Sequence, residues 1–132
     1  MKFNLSNLNP GTKFFFNEDD EKEGSVSLRV CAGDDLRAIR KQSAQDKVEY
    51  RRGSRIEYKK VNEEVENTLL WDFCIVEWEG VLSEETNQPI PCTKENKSLL
   101  MGKSPVFSKF VGDKLSILAD IEDKEKEDLE KN

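Results

Sequence analysis

The stretch from Leu69 to Gly80 constrains the fold of this chain more than any other feature. Eight of its first ten residues are apolar, and both tryptophans of the chain, Trp71 and Trp78, lie in it. Such a block stands out in a sequence in which 36% of the residues are charged. It must therefore form part of a hydrophobic core or a contact surface.

The residues before this block continue its pattern with helical spacing. Val61, Val65 and Leu69 are four residues apart, which predicts a helix over residues 62–79. The helix would carry two adjoining apolar faces, one formed by Val65, Leu69, Phe73 and Val76 and the other by Trp71, Ile75 and Trp78. An apolar sector of this width implies two packing partners. Either both belong to the same domain, or one belongs to another protein.

The length of 132 residues fits one domain, since a chain of this size buries about two thirds of the surface that its unfolded form exposes. We expect this domain to span residues 1–121 and to be followed by a charged tail over residues 122–132.

The three cysteines are odd in number and follow no signal-peptide pattern, which indicates reduced thiols in a cytoplasm. No apolar run approaches the roughly 18 residues that a membrane span needs, so we expect a soluble protein.

Two short runs near the N-terminus predict a β-hairpin. Residues 12–16 are rich in phenylalanine, and residues 25–30 alternate polar and apolar side chains, as strands do. The acidic segment 18–24 between them would form a solvated turn. The alternation places Val26, Leu28 and Val30 toward a core and Ser25, Ser27 and Arg29 toward solvent.

A short helix over residues 34–44 and a second extended pair follow. The pair consists of Val48–Tyr50 and Ile56–Tyr58, with a turn at Gly53. Between residues 47 and 60 there are six basic residues and two acidic ones. The net charge of -6 for the chain argues against non-specific binding to nucleic acid. An exposed strand face explains the basic segment, and a nucleic-acid site is the alternative.

Two further helices are predicted after the proline-containing loop of residues 83–92. Thr93 would cap a short helix that ends at Gly102, and Ser104 and Pro105 would begin a long amphipathic helix. Apolar residues recur along the long helix at three- and four-residue spacing: Phe107, Phe110, Val111, Leu115, Leu118 and Ile121. These elements predict an α+β fold class, in which an N-terminal β-hairpin and a short extended pair pack with C-terminal helices in a single small domain.

Reactive groups are scarce in the sequence. The chain has no histidine, which removes the commonest general base and the commonest zinc ligand. Its three cysteines are widely spaced, and its glycines form neither a phosphate-binding loop nor a dinucleotide fingerprint. We therefore expect a protein that is not an enzyme and that uses neither a metal nor a cofactor.

Four segments carry a resemblance to a known family. They are Asn9–Phe14, Val26–Arg29, Leu70–Trp78 and Cys92–Lys97. In this order they resemble small phage-encoded proteins, similar to the tail assembly chaperones of long-tailed phages. The resemblance spans roughly residues 9–112.

This resemblance implies a non-enzymatic protein that binds the tape measure protein and recruits tail tube subunits during tail assembly. It also implies a location in the host bacterial cytoplasm and absence from the mature virion. The oligomeric state stays open, with a homo-oligomer as one alternative. Candidate partner-binding residues are Trp71, Trp78, Phe107, Phe110 and Val111, although tryptophan pairs in small domains more often hold the core.

Two other functions remain alternatives. One is a structural virion protein, such as a tail completion or connector subunit. The other is a small nucleic-acid-associated regulator that uses the basic segment from Lys47 to Lys60.

Overall fold

A computed structural model describes the backbone of residues 1–131 and the side chains of residues 1–124. Within these residues the chain forms five β-strands and four α-helices, which confirms the predicted α+β class. Their order is β1 (Thr12–Phe15), β2 (Ser25–Leu28), α1 (Gly33–Ser43), β3 (Ala44–Arg51), β4 (Ser54–Val61), α2 (Glu63–Cys74), β5 (Ile75–Glu79), α3 (Lys94–Lys103) and α4 (Pro105–Lys131).

The predicted N-terminal hairpin is confirmed and belongs to a larger sheet. Strands β1, β2 and β5 form a three-stranded antiparallel sheet with β2 in the centre. All four residues of this central strand are buried, so both faces of the sheet are covered at β2. Ser25 and Ser27 are only 2% and 9% exposed. The expectation that these two serines face solvent was therefore wrong.

The helix predicted over residues 62–79 is correct only as far as Cys74. It begins as predicted, with the Asn62 side chain accepting a hydrogen bond of 3.1 Å from the backbone N–H of Val65. After Cys74 the chain becomes strand β5, which pairs with β2. The apolar block is thus divided between a helix and a strand.

Hydrogen bonds to the last carbonyl groups of α2 explain why the helix stops there. Such groups lack partners within a helix and need donors from elsewhere. The carbonyl oxygen of Asp72 accepts from the Lys97 ammonium group at 3.1 Å, and that of Phe73 accepts from Nε of Arg29 at 2.8 Å. The carbonyl oxygen of Cys74 accepts from the backbone N–H of Arg29 at 2.9 Å. Arg29, which directly follows β2, and Lys97 of α3 therefore provide donors to the end of α2.

The core lies between the three-stranded sheet and α4. Its buried apolar residues are Val26, Leu28, Ile75, Trp78, Phe107 and Val111. Trp78 is 8% exposed and meets the ring of Phe107 edge-on, with 5.7 Å between the ring centroids. Its indole Nε1 donates a hydrogen bond of 2.7 Å to the carbonyl oxygen of Ile90, so the polar group of the buried tryptophan is satisfied.

The second predicted extended pair is confirmed and is longer than expected. Strands β3 and β4 form a separate two-stranded antiparallel sheet, and we call residues 44–61 the β-arm. Arg52 and Gly53 form its turn with φ angles of 51° and 79°, as a two-residue hairpin turn of type I′ requires. None of the sixteen strand residues of the β-arm is buried.

The last two helices begin as predicted. The side chain of Thr93 accepts a hydrogen bond from the N–H of Asn96 at 3.2 Å, and Pro105 is the first residue of α4. The expected break at Gly102 was wrong, since α3 continues to Lys103. Among the described residues, no helix combines the length and apolar character needed to cross a bilayer.

The predicted charged tail covers residues 122–132. Helix α4 includes most of this segment. The side chains of residues 125–132 and the conformation of residue 132 lie outside the part that the structure describes. The tail therefore stays a prediction.

Candidate functional site

An open apolar groove of about 460 Å³ runs between α2 and α4. We call it the α2–α4 groove. Its lining residues are Val30, Cys31, Leu70, Trp71, Cys74, Ile75, Met101, Val111, Gly112, Leu115, Ser116 and Ala119. None of these side chains carries a charge at neutral pH, although more than a third of the chain is charged. The groove is therefore an apolar surface within a charged protein.

Small residues on α4 keep this groove open. Gly112, Ser116 and Ala119 are spaced four and three residues apart, so they follow one another along a single face of the helix. A Cβ atom added at Gly112 would meet no atom within 4 Å. The face of α4 toward the groove therefore has small residues at these three positions, beside Val111 and Leu115, and the groove stays open next to Trp71 and Met101.

The groove contains two of the five predicted partner-binding residues. Trp71 is half-buried and Val111 is fully buried, and both line the groove. Trp78 and Phe107 lie instead against each other in the core. The two tryptophans are thus separated, because the chain changes from helix to strand between them.

The fifth predicted residue, Phe110, lies at a second apolar hollow of about 360 Å³ near the start of α4. Its ring is tilted against the ring of Phe16 with 5.1 Å between the centroids. Val106 borders the same hollow and is 83% exposed. We call this region the N-terminal hollow, because it lies at the N-terminal end of α4. Phe107 also lines it, so this buried residue contributes to both the core and the hollow.

Sequence reasoning missed several residues of the α2–α4 groove. Leu70 and Met101 were not nominated because their patterns resemble ordinary helix packing. Gly112 was missed because it has no side chain to interpret. Its position next to Val111 in the amphipathic pattern, with Ser116 four residues later, is the signal that could have revealed a gap.

Two cysteines border the groove, and their environment disfavours reactivity. Burial raises the pKa of the Cys74 thiol from its ordinary 9.0 to about 11. Burial is also the main cause of the raised pKa of Cys31, followed by the nearby charge of Asp35. Since the thiolate is the nucleophilic form, both thiols are less reactive near neutral pH than an ordinary cysteine. The groove offers apolar contact area in place of a reactive thiol.

Metal-ligating side chains do not cluster in the described part of the chain. No group of three or more histidine, cysteine, aspartate or glutamate residues there is arranged to hold a metal ion.

The basic segment from Lys47 to Lys60 lies on the exposed β-arm, and none of its residues lines the groove. Two of its arginines pair with acids of the same arm. Arg51 lies 2.8 Å from Glu49, and Arg55 lies 3.0 Å from Glu57. The positive charge of the segment is thus partly neutralised within the arm.

Comparison with known proteins identifies a family. A model of the family described as YdaY prophage protein matches residues 25–132, which include β2 and every later element. No curated protein and no solved structure matches the chain. The matched part contains the whole α2–α4 groove and the whole β-arm. The chain therefore belongs to the YdaY prophage protein family, a family of small phage-related proteins.

Proposed function

We propose that this protein is a non-enzymatic chaperone or adaptor of phage tail assembly. It would bind the tape measure protein and the tail tube protein in the cytoplasm of the host bacterium and be absent from the mature virion. The observation that carries the proposal is the open α2–α4 groove in a protein of a prophage family. The resemblance of four sequence segments to tail assembly chaperones supplies the identity of the partners.

The groove suits the apolar face of a partner helix. Amphipathic helices bind in such grooves through apolar residues spaced three and four apart. Trp71 offers a large apolar anchor at the groove, and tryptophan is a frequent source of binding energy at interfaces. Met101 offers a flexible side chain that can adapt to different partner residues. A chaperone of a long helical protein needs this tolerance, because it meets many similar segments.

An adaptor that joins two partners needs a second contact area. The N-terminal hollow, with Phe110 and the exposed Val106, is an apolar surface that shares no lining residue with the α2–α4 groove. We assign the tape measure protein to the α2–α4 groove and the tail tube protein to the N-terminal hollow. The net charge of -6 would keep a protein with two such surfaces soluble.

The test is an affinity pull-down of the tagged protein from induced cells, with mass spectrometry of the captured proteins and of purified virions. We expect recovery of the tape measure and tail tube proteins and absence from virions. Abundance in virions would favour a structural role, such as a tail completion or connector subunit. Recovery of neither partner would refute the chaperone function.

A pair of glycine variants tests the groove itself. Gly112→Glu places a charged side chain in the groove, and Gly102→Glu makes the same change on the exposed surface of α3. Both glycines are helical and an added Cβ atom would meet nothing within 4 Å at either position. We expect only Gly112→Glu to lose the tape measure protein while the tail tube protein is still captured. Equal capture of the tape measure protein by both variants would exclude the groove as its site.

A further inference from the structure

The β-arm is a sheet of its own, and its two strands pair with no other strand of the described residues. Two-stranded sheets are at best marginally stable alone in water, yet none of the strand residues of this arm is buried. Four of them are large apolar or aromatic residues with exposed side chains: Val48, Tyr50, Ile56 and Tyr58. Two of these side chains lie on each face of the arm, and exposed apolar residues that group on one surface can mark an interaction site.

The strand register divides the β-arm into two faces. On one face the cross-strand pairs are Asp46 with Lys59, Val48 with Glu57, and Tyr50 with Arg55. Five of the seven residues that line an open hollow of about 430 Å³ belong to this face, and the other two, Lys47 and Tyr58, belong to the opposite face. We call the first face the hollow face. On the opposite face the pairs are Lys47 with Tyr58, Glu49 with Ile56, and Arg51 with Ser54.

The charges of the hollow face favour a second copy of the same surface. Asp46 and Glu57 are negative, and Arg55 and Lys59 are positive, so the face is neutral and carries both signs around the apolar Val48. A two-fold axis places the same patch of each copy in contact. Asp46 of one copy can then meet Lys59 of the other, while Val48 and Tyr50 pack between them. Arg55 and Glu57 pair with each other within each copy and bring no net charge to the contact.

Nucleic acid fits the β-arm less well. Affinity for phosphate depends on basic residues that are free to neutralise it. The six basic residues of the arm are distributed over both faces and the turn, and three acids lie among them. Arg51 and Arg55 are already paired with Glu49 and Glu57.

We propose that the protein forms a homodimer in which the hollow faces of two β-arms pack against each other about a two-fold axis. This contact uses no residue that lines the α2–α4 groove. The proposal does not depend on the role in tail assembly, because it uses only residues of the arm.

Two matched variants test this dimer. Val48 on the hollow face is 48% exposed, and Ile56 on the opposite face is 41% exposed. Both are β-branched, and both would be replaced by arginine. Size-exclusion chromatography with light scattering measures the mass over a range of concentrations, and circular dichroism checks that each variant is folded. We expect the wild type and Ile56→Arg to have twice the 15.2 kDa mass of one chain. We expect Val48→Arg to have the mass of a single chain.

Three results would overturn the proposal. The first is a wild-type protein that stays monomeric at every concentration. The second is a dimer that persists in Val48→Arg or is lost equally in both folded variants. The third is a monomer that binds duplex DNA with an affinity that falls steeply as salt rises, which would make the arm a nucleic-acid site.

Discussion

Gly24 and Gly80 meet backbone to backbone where β2 begins and β5 has ended. A Cβ atom added at Gly80 would lie 2.7 Å from the Cα atom of Gly24, and one added at Gly24 would lie 2.4 Å from the carbonyl oxygen of Glu79. Both glycines have positive φ angles, 111° and 73°. The central strand of the core sheet therefore begins at a place that admits no side chain on either residue.

Gly24→Ala should destabilise the fold for both reasons. We expect the free energy of unfolding to fall by about 1–3 kcal/mol from backbone strain, with a further loss from the close contact. Gly112→Ala is the control, because its Cβ atom would meet nothing within 4 Å in α4. It should raise the free energy of unfolding by about 0.5–1 kcal/mol. Urea denaturation followed by tryptophan fluorescence measures both values, and shifts in the same direction would contradict this account.

Lys97→Met should show how much the end of α2 depends on α3. The Lys97 side chain is buried, and its ammonium group donates to both the carbonyl oxygen and the carboxylate of Asp72, each at 3.1 Å. Its loss leaves the carbonyl oxygen without this donor, and we expect the free energy of unfolding to fall by about 1–3 kcal/mol.

Asp72→Asn separates the two bonds of Lys97. The side chain of Asp72 is 42% exposed, so its ion pair is partly screened by water. The variant keeps the main-chain carbonyl, so it should lower the free energy of unfolding by less than Lys97→Met does in the same urea denaturation experiment. An equal cost would mean that the ion pair, and not the bond to the end of the helix, provides the stability.

Local signals predicted the parts of the fold that depend on near neighbours in sequence. Thr93, Pro105 and the alternation around Val26 specify a helix start or a strand within a few residues, and the structure confirms all three. The basic segment likewise contained its own turn at Gly53. Such elements need no information from the rest of the chain.

The change from α2 to β5 could not be predicted in this way. Its causes are Arg29 and Lys97, which lie 44 and 25 residues away from the carbonyl groups that they bind. A helical pattern that continues past Cys74 contains no sign of these donors. The same change separates Trp71 from Trp78, so the sequence alone placed both on one face and could not distinguish the groove residue from the core residue.

Trp78→Ala and Trp71→Ala should therefore have different effects. Trp78 is buried against Phe107 and donates a hydrogen bond to Ile90, so its loss should cost about 3–5 kcal/mol of unfolding free energy. Trp71 is half-buried at the edge of the groove. Trp71→Ala should therefore lower the free energy of unfolding by less. In the pull-down, Trp71→Ala should stay folded and lose the tape measure protein. If Trp71→Ala lowered the free energy of unfolding as much as Trp78→Ala, both tryptophans would belong to the hydrophobic core.

The thiol of Cys74 gives a prediction for pH. Burial raises its pKa from 9.0 to about 11, so between these two values the folded chain keeps a proton that the unfolded chain has lost. The free energy of unfolding should therefore fall as pH rises from 9 toward 11, and Cys74→Ala should reduce this dependence. The pKa values of Cys31 and Cys92 are also raised, mainly by burial, so part of the dependence should persist in the variant.

Alkylation provides a direct measurement of the same thiols. Cys74 is buried, whereas Cys31 and Cys92 are half-buried. Iodoacetamide at pH 8 should modify Cys31 and Cys92 of the folded protein before Cys74, because thiolate content and access both govern the rate. In urea all three should react at similar rates, which peptide mass spectrometry can follow. Modification of folded Cys74 as fast as Cys31 would mean that the junction of α2 and β5 opens readily, and the hydrogen bonds from Arg29 and Lys97 would then not hold it closed.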